Sequence, residues 1–193
     1  MERIMKRYMF TDCFTPPQGS NVASESVSGS ISCDICGRQY EDLIRLCCKF
    51  SSVFSFIVQV PAMEVAEELE KFRIERPENI EFNHNQYITK DNTEPGGRFY
   101  RVCPELCEFL LHKADSIYEW INGWDFENPE DPTFYQEDGS VFFTSVIHEG
   151  EVFLLPRDGE DVSIVIKNNY WREVEAKSMI GQRLEYMLHP KND

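Results

Sequence analysis

Two thiols two residues apart, Cys33-Asp34-Ile35-Cys36-Gly37, present the spacing at which a pair of thiolates grips one metal ion, with the glycine free to take a tight turn beside them. A tetrahedral zinc site needs two more ligands. Cys103 and Cys107, one helical turn apart, are the best candidates, with Cys13, Cys47 and Cys48 as others. The C-x3-C spacing departs from that of a zinc knuckle, and reduced cysteines without metal are the competing reading. A redox CxxC is disfavoured, because no thioredoxin-like strand precedes the pair and no helix clearly begins within it.

His148-Glu149 is a second place where chemistry could reside, since an imidazole beside a carboxylate can serve acid–base work. Neighbours on a strand, however, point to opposite faces, so the two would not cooperate without a bulge. Bracing of a hairpin by His148 is the preferred reading, and His148 joins the binding candidates. No Gly-x-Ser-x-Gly, H-E-x-x-H or phosphate loop occurs.

The third feature is a charge pattern. From residue 114 to 156 there is no Lys or Arg, while ten acids occur: Asp115, Glu119, Asp125, Glu127, Glu130, Asp131, Glu137, Asp138, Glu149 and Glu151. Trp120, Trp124, Phe126, Phe134 and Tyr135 are interleaved with them. Aromatic anchors rimmed by acids are what docking of a basic partner requires; aromatics in the core with acids at its solvated edge are the alternative. The expected contact residues are Trp120, Trp124, Asp125, Glu127, Glu130 and Asp131. A calcium loop of the D-x-D-x-D-G kind is absent from residues 125–138.

The whole chain leans the same way. Among 193 residues, 34 acids against 19 Lys plus Arg give a net charge of −15. Such a surface repels phosphate backbones and anionic bilayers, so nucleic acid and membrane are disfavoured and a basic protein is favoured. No apolar run reaches the ~20 residues of a membrane helix, and residues 1–14 lack the apolar core of a signal peptide. Seven cysteines, an odd number, fit a reducing cytoplasm better than a disulfide framework.

The elements that must position these groups are read from punctuation and period. Residues 15–32, TPPQGSNVASESVSGSIS, form a loop or flexible insert. This divides the chain into a cysteine-bearing segment, 1–47, in which residues 5–10 supply an edge strand, and a main domain, 48–193. Residues 50–60 read as a strand, 61–76 as a helix, 80–88 and 98–102 as strands, and 104–121 as the clearest helix, with Leu106, Leu110, Ala114, Ile117 and Ile121 on its buried stripe. That β-α-β-β-α order is compatible with a ferredoxin-like half. Asp138-Gly139, Glu149-Gly150 and Asp158-Gly159 then punctuate an antiparallel meander, with 133–136 paired to 141–147 and followed by 151–155. Residues 161–167 are a strand or a helix start, and 171–188 are helical. The fold expectation is α+β: a ferredoxin-like part, a meander and a C-terminal helix.

Residues 94–155 carry a resemblance. Glu94-Pro95-Gly96 is similar to an E-W-P-G turn lacking its tryptophan, and the run 114–120, Ala-Asp-Ser-Ile-Tyr-Glu-Trp, to S-x-S-L-Y-x-W. The run 129–134, Pro-Glu-Asp-Pro-Thr-Phe, is similar to P-E-D-L-x-F with Pro132 replacing leucine; Asp138-Gly139 and the run 145–149, Ser-Val-Ile-His-Glu, match D-G and S-x-x-H-E. In this order they resemble small bacterial proteins that often carry the label "stage III sporulation protein AH". The resemblance assigns no activity. By analogy of class, short acidic bacterial α+β proteins include immunity partners of toxins. The expected function is therefore a non-catalytic acidic binding protein that covers a basic toxin or partner surface. The alternative is a small zinc-containing regulator or enzyme using Cys33/Cys36 or His148.

Overall fold

The computed structural model describes residues 6–10, 34–58, 63–80, 97–123, 126–167 and 170–189. Its strands are β1 (Tyr8–Phe10), β2 (Val53–Ile57), β3 (Arg73–Ile74), β4 (Gly97–Arg101), β5 (Asn122–Gly123), β6 (Phe126–Glu127), β7 (Glu130–Tyr135), β8 (Val141–Val146), β9 (Glu151–Leu154) and β10 (Trp171–Glu173). The helices are α1 (Arg38–Phe50), α2 (Met63–Glu68), α3 (Pro104–Lys113), α4 (Ser163–Ile166) and α5 (Met179–Leu188). The chain is thus α+β, with one eight-stranded sheet in the order β10-β1-β9-β8-β7-β2-β4-β3. Every pairing in it is antiparallel. The expected meander, β7-β8-β9, is the middle of this sheet rather than a separate layer; β7 pairs with β2 on one side and β8 on the other.

Both faces of the sheet are covered, which explains why β8 (VFFTSV) is buried at every position. On one face Phe54, Tyr100, Phe134 and Leu154 pack with residues of α1, α3 and α4. On the other Tyr135, Val141 and Phe153 pack with Leu184 and Leu188 of α5. The period-2 alternation is visible within single strands: Phe134 faces one cluster and its neighbour Tyr135 the other. Polar side chains inside the sheet meet each other: Thr133 Oγ1 lies 3.0 Å from Thr144 Oγ1, and Ser55 Oγ 3.1 Å from Tyr135 Oη.

Four expectations are revised. Residues 5–10 were expected at an edge, but β1 is an interior strand, bonded to β9 on one side and β10 on the other. The helix at 104–121 ends at Lys113: Ala114 turns extended (φ −143, ψ 151) because the next residues bond elsewhere, Gly37 N donating to Asp115 O at 2.9 Å and Ile117 N to Ile35 O at 3.1 Å. Residues 171–188 are strand then helix, since Trp171 pairs with Phe10 and Ser178 caps α5 by accepting from Gly181 N at 3.0 Å. Finally, α1 crosses the expected boundary at residue 47 and places Tyr40, Leu43, Ile44 and Cys47 in the same core cluster as Phe54. The expected strand at 80–88 lies, after Ile80, outside the described residues.

Candidate functional site

The expected docking residues separate. Trp120 is a core residue: it is wholly buried, its ring stands 4.8 Å from that of Phe56, and its Nε1 donates to Tyr40 Oη at 2.9 Å. The tyrosine hydroxyl in turn donates to Leu110 O at 2.9 Å. This chain of bonds satisfies the two polar atoms that two large aromatics bring into the core, and burial pushes the Tyr40 hydroxyl far above its ordinary value. Trp120 therefore cannot anchor a partner.

Asp131 is likewise buried, at 3 % exposure, and adopts φ 54, a conformation that aspartate tolerates better than most residues. Its carboxylate accepts from Ile147 N at 2.7 Å, tying the start of β7 to the end of β8. Its charge is spent inside the fold. Glu130 beside it is half-buried, opposite Ile57.

Trp124, Asp125 and the side chain of Glu127 lie outside the described residues, as does the side chain of His148. Their backbone context is partly described. Asn122 pairs with Glu127 and Gly123 with Phe126, so β5–β6 is a small hairpin outside the main sheet. Asn128 Nδ2 closes its base on Glu119 O at 2.9 Å. Exposed Asp115 and half-buried Glu119 flank that base, with Asp115 N donating to Glu119 Oε2 at 3.1 Å. Residues 147–149 form a single 3-10 turn between β8 and β9, and Gly150 follows at φ 69.

The cation-free window is less isolated in space than in sequence. Arg157, one residue past it, pairs with Asp138, and Arg183 of α5 pairs with both Glu149 and Glu151. Exposed Glu137 and Asp115, half-buried Glu119 and Glu130, and the hairpin acids make up the rest of the window's negative charge.

Of the four cysteines expected to share zinc, three are described, and Cys36 is set apart from Cys103 and Cys107. Cys33 lies outside the described residues. Cys36 is exposed and bridges to Ser116, at the end of α1 that lies near the C-terminal end of α3. Cys103 and Cys107 lie at the opposite end of the same helix pair. With a rise of ~1.5 Å per residue along α1, the two places are roughly 15 Å apart, too far for one ion. Among the described residues, no group of three or more His, Cys, Asp or Glu is placed to hold a metal.

What the sequence did not suggest is the set of thiols where α1 meets α3. Cys48, Cys107, Cys47 and Cys103 are near enough to one another to act on the ionisation of Cys48, Cys107 most strongly. The neighbouring Cys48 holds the Cys107 thiol down at about 7 against the opposing effect of burial, with the Arg45 guanidinium helping. Cys107 in turn, together with burial, pushes Cys48 up. Burial, more than any neighbouring charge, pushes Cys47 up. Spacing could not reveal the pairing, because the two cysteines are distant in sequence.

Among the described residues no helix is long and apolar enough to cross a membrane. Comparisons with protein-family models, with curated proteins and with solved structures give no match to this chain.

Proposed function

We propose that this chain is a non-catalytic acidic binding protein that docks a basic protein partner, of the kind an immunity protein neutralises in a toxin. The observation that carries the reading is the cation-free run 114–156 within a chain of net charge −15. The small β5–β6 hairpin, flanked by Asp115, Glu119 and Glu130, is a strand pair of that run separate from the main sheet. Trp124, Asp125 and Glu127 are the contact residues of this proposal, and Trp120 and Asp131 are withdrawn from it. The strand order β7-β2-β4-β3, with α2 and α3 as the connecting helices, supports a ferredoxin-like reading of this half of the sheet.

The partner is to be isolated from producing cells and identified, and its binding kinetics measured against salt. Complementary charge accelerates encounter and is screened by ions, so the on-rate should fall as salt rises. Asp125→Lys with Glu127→Lys should lower the on-rate, and Trp124→Ala should raise the off-rate. A partner no more tightly held than a generic basic protein such as cytochrome c, or one indifferent to salt and to these substitutions, would reject the proposal. If the partner is a toxin, co-expression should also restore the growth that the toxin arrests.

A further inference from the structure

Helices α1 and α3 run antiparallel along a ladder of side-chain contacts. Tyr40 Oη reaches Leu110 O and Arg45 Nη1 reaches Glu108 Oε1 at 3.1 Å, and the next turn of α1 sets Cys48 toward Cys107, near enough for each thiol to shift the other's ionisation. As residue numbers climb on α1 they fall on α3, so the two sulfurs meet as the next rung of a fixed packing, not as a chance approach of mobile side chains. Both are free thiols; Cys107 is 7 % exposed and Cys48 half-buried, with half-buried Cys103 beside them. Arg45, exposed on the same face, brings a positive charge to Cys107. The helix packing thus seats the two thiols side by side where α1 meets α3.

We propose that Cys48 and Cys107 form a hydroperoxide-reactive dithiol site, in which Cys107 is the attacking sulfur and Cys48 the resolving one, and that it closes into a disulfide between α1 and α3. In the first step the Cys107 thiolate attacks one peroxide oxygen. The O–O bond breaks, Cys107 becomes a sulfenic acid, and the departing alkoxide or hydroxide takes a proton from water. In the second step Cys48 attacks the Cys107 sulfur, an S–S bond forms, and the sulfenic oxygen leaves as water with the Cys48 proton. The two thiols lose two electrons together, and the hydroperoxide is reduced to an alcohol, or to water, plus one further water. The roles follow from the environments. Cys107 is the more readily ionised of the two, favoured by Cys48 and by Arg45. Cys48 stays protonated for as long as that negative charge is present, and its own ionisation eases once the charge is consumed. This site is independent of the acidic docking surface.

The test exposes the full-length folded chain to hydrogen peroxide, blocks remaining thiols with N-ethylmaleimide, and maps peptides without reduction. The expected product is a Cys48–Cys107 cross-linked peptide that reappears as two free thiols on reduction. Cys48→Ser should let dimedone trap a sulfenic acid at Cys107. Cys107→Ser should leave Cys48 reduced, Cys47→Ser should leave the cross-link intact, and Arg45→Ala should slow its formation several-fold. Wild-type protein whose Cys48 and Cys107 are both alkylated after an exposure that oxidises Cys36 overturns the proposal, as does a bridge that joins either cysteine to Cys103 or Cys47 instead. The wild-type map decides this by itself should a variant fail to fold.

Discussion

Tyr40 stands between two groups that could not otherwise be buried together, accepting from Trp120 Nε1 and donating to Leu110 O. Tyr40→Phe keeps the ring and removes the oxygen, leaving the indole N–H without its acceptor in the core. The expected loss of stability is about 1–3 kcal/mol, read from urea unfolding midpoints at unchanged slope. Asp131→Ala should cost a similar amount, about 2 kcal/mol, because it strips the acceptor from Ile147 N and puts alanine in a left-handed conformation. Gly139 has less latitude still: at φ +85, an added Cβ would collide with the Asn79 backbone oxygen, so Gly139→Ala should displace the β7–β8 turn itself. Asp138 on that turn titrates below its ordinary value of 3.8: burial acts upward but is outweighed by bonds from Ser140 and by Arg157. A lowered folded value means that its stabilising contribution is complete above the unfolded value and is lost as pH falls through the folded one. Asp138→Asn should therefore cost less than about 1 kcal/mol at neutral pH, this being an exposed pair, and progressively less as pH falls below the ordinary carboxylate range, as urea titrations across that range would show.

At the scale of elements, α1 joins the acid-rich surface to the thiol site while its apolar side closes the core. Leu43 and Leu110 are wholly or almost wholly buried on its contact with α3. Leu43→Ala or Leu110→Ala should each cost about 2–5 kcal/mol, measured by thermal or urea unfolding. The spacing of Tyr40, Leu43, Ile44 and Cys47 is helical and was legible, but it stood behind a Ser/Gly-rich run and a CxxC motif that pointed to metal. Strands β7, β8 and β9 were legible because Asp138-Gly139 and Glu149-Gly150 fix their ends and because their apolar content is continuous. The pairing of β1 with β10 was not, since strand partners distant in sequence leave no trace in local period. The same holds for the end of α3: the stripe through Leu106, Leu110, Ala114 and Ile117 continues in helical register, and all four are buried, yet Ile117 reaches the core from a 3-10 turn after the backbone has left the helix. For the site, the acid run was visible as composition. Burial of Trp120 and Asp131 was not, because an aromatic or an acid in a run has the same letters whether it faces in or out.

For the molecule as a whole, a net charge of −15 acts against compactness as well as for solubility. Several surface pairs, among them Arg38 with Asp42 and Arg45 with Glu108, offset only part of that charge. Screening of the self-repulsion should then outweigh screening of the pairs. Raising sodium chloride from ~10 mM to ~200 mM, across which the Debye length falls from roughly 30 Å to below 10 Å, should raise the melting temperature. A fall over that range would show that attractive pairs dominate the surface.

The placing of β1 between β9 and β10 also sets a timetable for synthesis. Tyr8–Phe10 leaves the ribosome well ahead of its partners: the neighbour it pairs with first, β9, begins at Glu151, about 140 residues later, and its other neighbour later again. At ~5–20 residues per second, this strand waits on the order of ten seconds with its backbone donors and acceptors bare. Nascent chains arrested before β9 should accordingly keep the β1 segment open to protease and to passing chaperones, while β2, β4 and α3 can already be assembled behind it.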